Sequence, residues 1–292
     1  MPSDKLTTQN GYYIQPKGTV MNKLLTILAV SVNLIFINGC SETEQVKPLR
    51  VGMELQYPPF EMVDKTGQPA GISVDIAKKF GEYLGRPVEI QSISWTGLIP
   101  SVRTDKIDVI ISSMSPTPER AKAVSFSIPY VTSGLALLVK ANSTIQKFVD
   151  IDKTMVVAVK TGTVGDVYVK KHLPNNTIRQ FESVNACVLE VAQGRADAFI
   201  YGPLTLYQNY LKHPNTTRVI LDRVPGTTNF SAMAFKQNNK ELLKQANDFI
   251  RAMAKTDFFD KLGEKYLGDI KKMYKAKGLP FYFDVNIEPA KK

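Results

Sequence analysis

The residues best placed to do chemistry stand close together in the chain. Ser112 and Ser113 fall at the end of the apolar run KIDVIISSM, Ser115 follows, and Thr117-Pro118-Glu119-Arg120 comes next. Thr before Pro reads as a helix cap with proline at the first helical position. Hydroxyls, the free N–H groups of a helix start and a guanidinium then converge on one point. That set suits a carboxylate, which arginine can grip with two parallel hydrogen bonds. Read without further context, Arg120 could instead pair with a surface acid while the serines only terminate a strand.

Other chemistries lack material. His172, His213, Cys40 and Cys187 are the only histidines and cysteines. They make neither a disulfide framework nor a four-ligand zinc site, and a Ser-His-Asp or Cys-His mechanism would rest on an unremarkable histidine. Cys187, in an apolar helical stretch, reads as a small core residue. Tyr57, Phe60 and Trp95 fall in loops after strands, where large apolar side chains need a reason. Lys160, Thr163 and Val164 lie where another strand turns into a helix, so backbone N–H groups there can reach an anion.

The elements that must position these residues follow a rhythm. LRVGMEL reads as a strand, SVDIAKKFGEYLG as an amphipathic helix stopped at Gly85, PVEIQSI as a strand, WTGLIPSVRTDK as a helix and KIDVIISSM as a strand. Strands apolar throughout belong to parallel sheets covered on both faces, so the β-α-β-α-β order predicts an open α/β sheet. After the long strand SGLALLVKAN the rhythm restarts with TMVVAVKTG, TVGDVYVKKHL, TIRQFES, NACVLEVAQGR, ADAFIYG and PLTLYQNYLKH. NFSAMAFK reads as a second long strand, and a strongly helical stretch from Asn239 to Gly268 follows. Two α/β halves joined by two long strands predict lobes that meet across a cleft, each facing it with the carboxyl ends of its strands.

The composition agrees with a folded chain: 292 residues, 43% hydrophobic and 22% charged, long enough for two domains, with a formal charge of +10. The start reads differently. Residues 24–37 form an apolar run shorter than the roughly 20 residues of a spanning helix, preceded by Met21-Asn22-Lys23 and followed by Asn38-Gly39-Cys40. That pattern resembles a bacterial lipoprotein signal, in which Cys40 is lipidated and becomes the new N-terminus. Residues 1–40 are therefore expected to be leader and signal peptide. An uncleaved anchor helix would give the same export topology.

Four stretches carry a family resemblance: VGMELQYPPFEMVDKTGQPAGISVDIAKKF, WTGLIPSVRTDKIDVIISSMSPTPERAKAVSFSIPY, VKTGTVGDVYVK and GRADAFIYG. From about Leu49 to Gly268 the chain resembles the periplasmic polar amino-acid-binding proteins of ABC transporters, family 3 of the bacterial extracellular solute-binding proteins. The resemblance implies a two-lobed type II periplasmic-binding-protein fold, open α/β sheets joined by a two-strand hinge. Lobe 1 would be 49–138 plus 233–285, and lobe 2 would be 139–232. It implies that Ser112, Ser113, Ser115 and Arg120 bind a ligand α-carboxylate and that Tyr57 and Trp95 wall the ligand. Phe60 fits core and site equally. Glu54 matches a position that faces the ligand side chain, with a solvated strand-end charge as its other reading. Lys160, Thr163 and Val164 would touch the ligand from the other lobe, although Lys160 fits the surface as well.

One departure stands out. Tyr201 and Gly202 are expected at the ligand too: after the strand ending at Tyr201 the family carries an aspartate for the ligand's α-ammonium, whereas this chain has Gly202 and then Pro203. Glu54 or another acid in the cleft would have to serve, or the ligand would lack a free amine. Asp placed at position 202 is expected to strengthen α-amino-acid binding if the ligand is a non-standard one, and to weaken it if Gly202 already serves a plain amino acid. Ser73 is a milder departure, since an acidic or aromatic residue is commoner there.

These readings predict an extracytoplasmic, lipid-anchored, monomeric binding protein of an ABC importer, with an ABC permease as partner. It would close its lobes on a small amino acid or related carboxylate, with no metal, cofactor, nucleic acid or catalytic step. Two alternatives share the scaffold: a periplasmic cyclohexadienyl or arogenate dehydratase-like enzyme using Glu54 as acid, and a sensory module presenting ligand to a receptor.

Overall fold

A computed structural model describes residues 46–227, 229–276, 278 and 281–285. The leader, the apolar run 24–37 and Cys40 lie outside the described residues. Among those residues no helix is long and apolar enough to cross a membrane.

Two five-stranded sheets carry the fold. In the first, Leu49–Met53 lies between Val88–Ser92 and Val109–Ile110, all parallel, and Ala234–Lys236 and Val124–Phe126 complete the edge. In the second, Val156–Lys160 lies between Thr177–Phe181 and Ala198–Tyr201, again parallel, followed by antiparallel Ala136–Lys140 and Thr217–Ile220. The strand order second-first-third therefore appears among the parallel strands of both sheets. A small meander of Gln56–Tyr57, Glu61–Val63 and Pro69–Ala70 interrupts the first half, which the strand-helix rhythm had not predicted.

Helices cover both sheets with their apolar stripes. Ile72–Leu84 buries Ile72, Val74, Ile76, Ala77 and Phe80, and Phe80 packs its ring 5.1 Å from Phe249 of the helix Lys240–Ala254. Gly85 ends the first of these helices at φ 64°, the left-handed conformation that glycine adopts without a Cβ penalty. In the second half, Cys187, Val188 and Val191 of Val184–Ala192 pack on Ala158 and Phe199. Cys187 is a buried free thiol whose burial pushes its pKa up to about 12, so it behaves as an apolar core group.

Both long crossing strands bend. Val131–Ser133 pairs with Asn229–Ser231 in a separate two-stranded ribbon, and Ala136–Lys140 and Ala234–Lys236 then enter different sheets. The expected lobe boundary at 138 falls inside Ala136–Lys140, every residue of which pairs in the second sheet. We therefore propose that the lobes exchange chain at the ribbon, near residues 133 and 231.

Candidate functional site

The carboxyl ends of both sheets open into one cleft, with about 690 Å³ of free space counted out to its mouth. It is lined by twelve of the thirteen residues expected at a ligand: Glu54, Tyr57, Phe60, Trp95, Ser112, Ser113, Ser115, Arg120, Thr163, Val164, Tyr201 and Gly202. Lys160 stands just behind this lining, tied to Glu54.

The carboxylate-facing wall is built locally. Val109–Ile110 leaves the ladder after two residues, and the Ser112 hydroxyl accepts a hydrogen bond from the Glu54 backbone N–H at 2.9 Å, joining two strand ends. Thr117 caps the short helix Pro118–Ala121 by accepting from the Arg120 N–H at 3.3 Å. The Arg120 guanidinium donates to the Ser115 carbonyl at 2.8 Å and, from the other half of the molecule, to the Gly162 carbonyl at 3.0 Å. It lies 5.1 Å from the centre of the Trp95 ring, a cation–π distance. Arg120 has no carboxylate partner among the described residues, and burial lowers its pKa only to about 10, so it stays charged.

The opposite wall comes from the second sheet. Thr163 caps Val164–His172, and its hydroxyl donates to the Lys160 carbonyl at 2.8 Å. The Gly162 carbonyl also accepts from the Trp95 indole at 3.1 Å. Gly165 packs so closely that a Cβ there would lie 2.7 Å from the Ile200 carbonyl oxygen. Lys160 and Glu54 form an ion pair in which both side chains are almost wholly buried, so neither is the exposed charge that the sequence also allowed.

Tyr57 stacks on Phe60 with centroids 5.3 Å apart and meets Tyr201 edge-on at 5.6 Å. Phe60 belongs to the core and lines the cleft as well. The Tyr57 hydroxyl occupies the space that a Cβ on Gly202 would need, so an aspartate at 202 would have to displace that phenol.

Sequence reasoning missed Glu61. Its side chain is 1% exposed and lines the cleft, where Oε2 accepts from the Ser73 hydroxyl at 2.5 Å and the Ser113 hydroxyl at 3.0 Å. Ser73, unusual at its position, was the available signal: a small hydroxyl on a buried helix face needs a polar partner.

Two lobes, each an open α/β sheet, facing a cleft whose guanidinium has no carboxylate partner among the described residues define a ligand-binding protein of the two-lobed periplasmic type. The chain belongs to the bacterial extracellular solute-binding proteins, family 3, whose model matches residues 49–269. It is 30% identical to the L-cystine-binding protein TcyJ of Escherichia coli over 75% of this chain and 82% of that protein. It is 26% identical to ABC transporter arginine-binding protein 1 of Escherichia coli over 84% of this chain and 98% of that one. Among solved structures, an ancestral arginine-binding protein bound to arginine matches with TM-score 0.71 and 31% identity, covering 76% of this chain and 99% of that one. An ancestral amino acid-binding protein described as a precursor of cyclohexadienyl dehydratase matches with TM-score 0.67 and 37% identity, covering 75% and 95%.

Proposed function

We propose that this chain is the extracytoplasmic binding component of an ABC importer for an amino acid, held at the membrane by a lipid on Cys40. The observation that carries the reading is Arg120, a guanidinium without a carboxylate partner among the described residues, set beside Ser112, Ser113 and Ser115 in an interlobe cleft. The names of the relatives support an amino acid as the ligand class. Contacts from both lobes favour the closed form over the open one, and the permease reads that closure. The ligand is gripped without being transformed, and no cofactor enters.

The neighbour that precedes a dehydratase gives the enzyme reading a specific footing, but that neighbour is itself described as a binding protein. Glu54, the acid the enzyme reading needs, is engaged by Lys160.

A thermal-shift screen of L-amino acids and amine-free carboxylates tests the proposal. A compound at 100 times its dissociation constant should stabilise by about 2.7 kcal/mol. Stabilisation by an amino acid, absent in Arg120→Ala, is expected; no response from either class sinks the reading. Cys40→Ser should move the protein from the membrane fraction to the soluble one.

A further inference from the structure

Two cations and two carboxylates stand at the cleft: Arg120, Lys160, Glu54 and Glu61. Lys160 and Glu54 satisfy each other, and Arg120 is left for a ligand carboxylate. Glu61 is then the one cleft-lining carboxyl group without a cationic partner among the described residues. Both of its hydrogen bonds end on Oε2, and Oε1 accepts none among the described residues. Ser113, which makes one of those bonds and itself lines the cleft, sits at φ 48°, a left-handed conformation that serine rarely adopts. The backbone is thus bent so that a cleft hydroxyl meets Glu61.

Resting on the amino-acid reading above, we propose that Glu61 is the acceptor of the ligand's α-ammonium group. Its surroundings make release of a proton from Glu61 the companion of that contact. Burial pushes the Glu61 carboxyl up to about 8, outweighing the lowering by Ser73, Ser113 and the more distant Lys160, while the Glu54 charge raises it further. The other titratable groups facing it, Tyr57, Tyr130 and Tyr201, are phenols kept neutral by burial. Glu61 is therefore mostly protonated at pH 7, and an arriving ammonium favours its ionised form. With Arg120 on the carboxylate and Glu61 on the ammonium, the charges in the closed cleft cancel. Position 202 offers no competing acceptor, because Gly202 is packed on the Tyr57 hydroxyl.

The test is titration calorimetry in two buffers of different ionisation enthalpy, between pH 6 and pH 9. Three pairs serve as probes: L-arginine with 5-guanidinopentanoate, L-glutamine with 4-carbamoylbutanoate, and L-cystine with 3,3′-dithiodipropionate. An amino acid that binds should release most of one proton at pH 7, and its affinity should rise about tenfold per pH unit below 8. Its desamino partner should release none. Glu61→Gln, which imitates the protonated acid, should abolish proton release and weaken the amino acid by about 100-fold. Its retained affinity for the desamino compound shows that the variant is folded. Buffer-independent heats for a bound amino acid, or an unchanged affinity in Glu61→Gln, would overturn the assignment while leaving the binding function intact. Failure of every L-amino acid in the thermal-shift screen, these three included, to bind the native protein would instead overturn the amino-acid reading on which it rests.

Discussion

Glu54 and Lys160 meet across the cleft as a buried ion pair, each at the carboxyl end of the first parallel strand of its own sheet. The two halves thus contribute equivalent positions of opposite charge to one contact. A buried pair gains little over an apolar contact, but loss of one partner strands the other charge. The pair is therefore a device of geometry: it is satisfied when the lobes are together, and each group must find water when they part. The Gly162 carbonyl, gripped by both Arg120 and Trp95, joins the same walls a few residues further on.

Lys160→Met should cost the closed form about 3–5 kcal/mol, because Glu54 would be left buried and unpaired. Opening of the lobes relieves that cost, so the radius of gyration in small-angle scattering should increase. Adding Glu54→Gln should restore most of the compactness. A single variant as compact and as stable as the native protein would show that the pair does not set the lobe geometry.

Arg120→Lys keeps the charge but loses the planar fork that reaches the Ser115 and Gly162 carbonyls while facing the cleft. Affinity for an amino acid should fall by at least about tenfold, corresponding to the loss of a charged hydrogen bond. Calorimetry on the two proteins measures this, and equal affinities would mean that only the charge matters.

Gly202→Ala drives a methyl into the Tyr57 hydroxyl, which has Tyr201 and Phe60 packed around its ring. Overpacking of this kind costs about 1–3 kcal/mol. Tyr57→Phe removes the colliding oxygen, so the double variant should recover stability in a double-mutant cycle of thermal unfolding. Additive losses would place the strain elsewhere.

Local signals were legible in the sequence, and contacts between distant segments were not. The Thr117-Pro118 cap and the Gly85 helix stop each depend on neighbours a few residues away, and each stands where its residue types put it. The apolar run before Ser112 overstated its strand. The chain leaves the ladder after Ile110 so that Ser112 can hold the Glu54 backbone, a partner 58 residues earlier. Glu61 was hidden for the same reason: its burial depends on Ser73 and Ser113, and in the string FEMVD it looks like any strand acid. The space at Gly202 is likewise decided by Tyr57, from the other half of the chain.

Glu61 also makes the stability of the ligand-free protein depend on pH, in a direction opposite to that of most carboxylates. Its folded pKa, raised to about 8 by burial, exceeds the ordinary value of 4.5. Between those values the folded state binds more protons than the unfolded one, so stability falls as pH rises. The contribution is fully present below about pH 4.5 and is lost progressively as the pH passes through 8. Each unit of pH in that window corresponds to about 1.4 kcal/mol. Glu61→Gln cannot ionise and keeps a side chain of the same shape against Ser73 and Ser113. Its unfolding midpoint relative to the native protein should therefore climb from pH 5 and level off above about pH 8 in denaturant titrations. A constant difference across that range would mean that Glu61 is already ionised in the folded protein, and its burial would then need a cation not seen among the described residues.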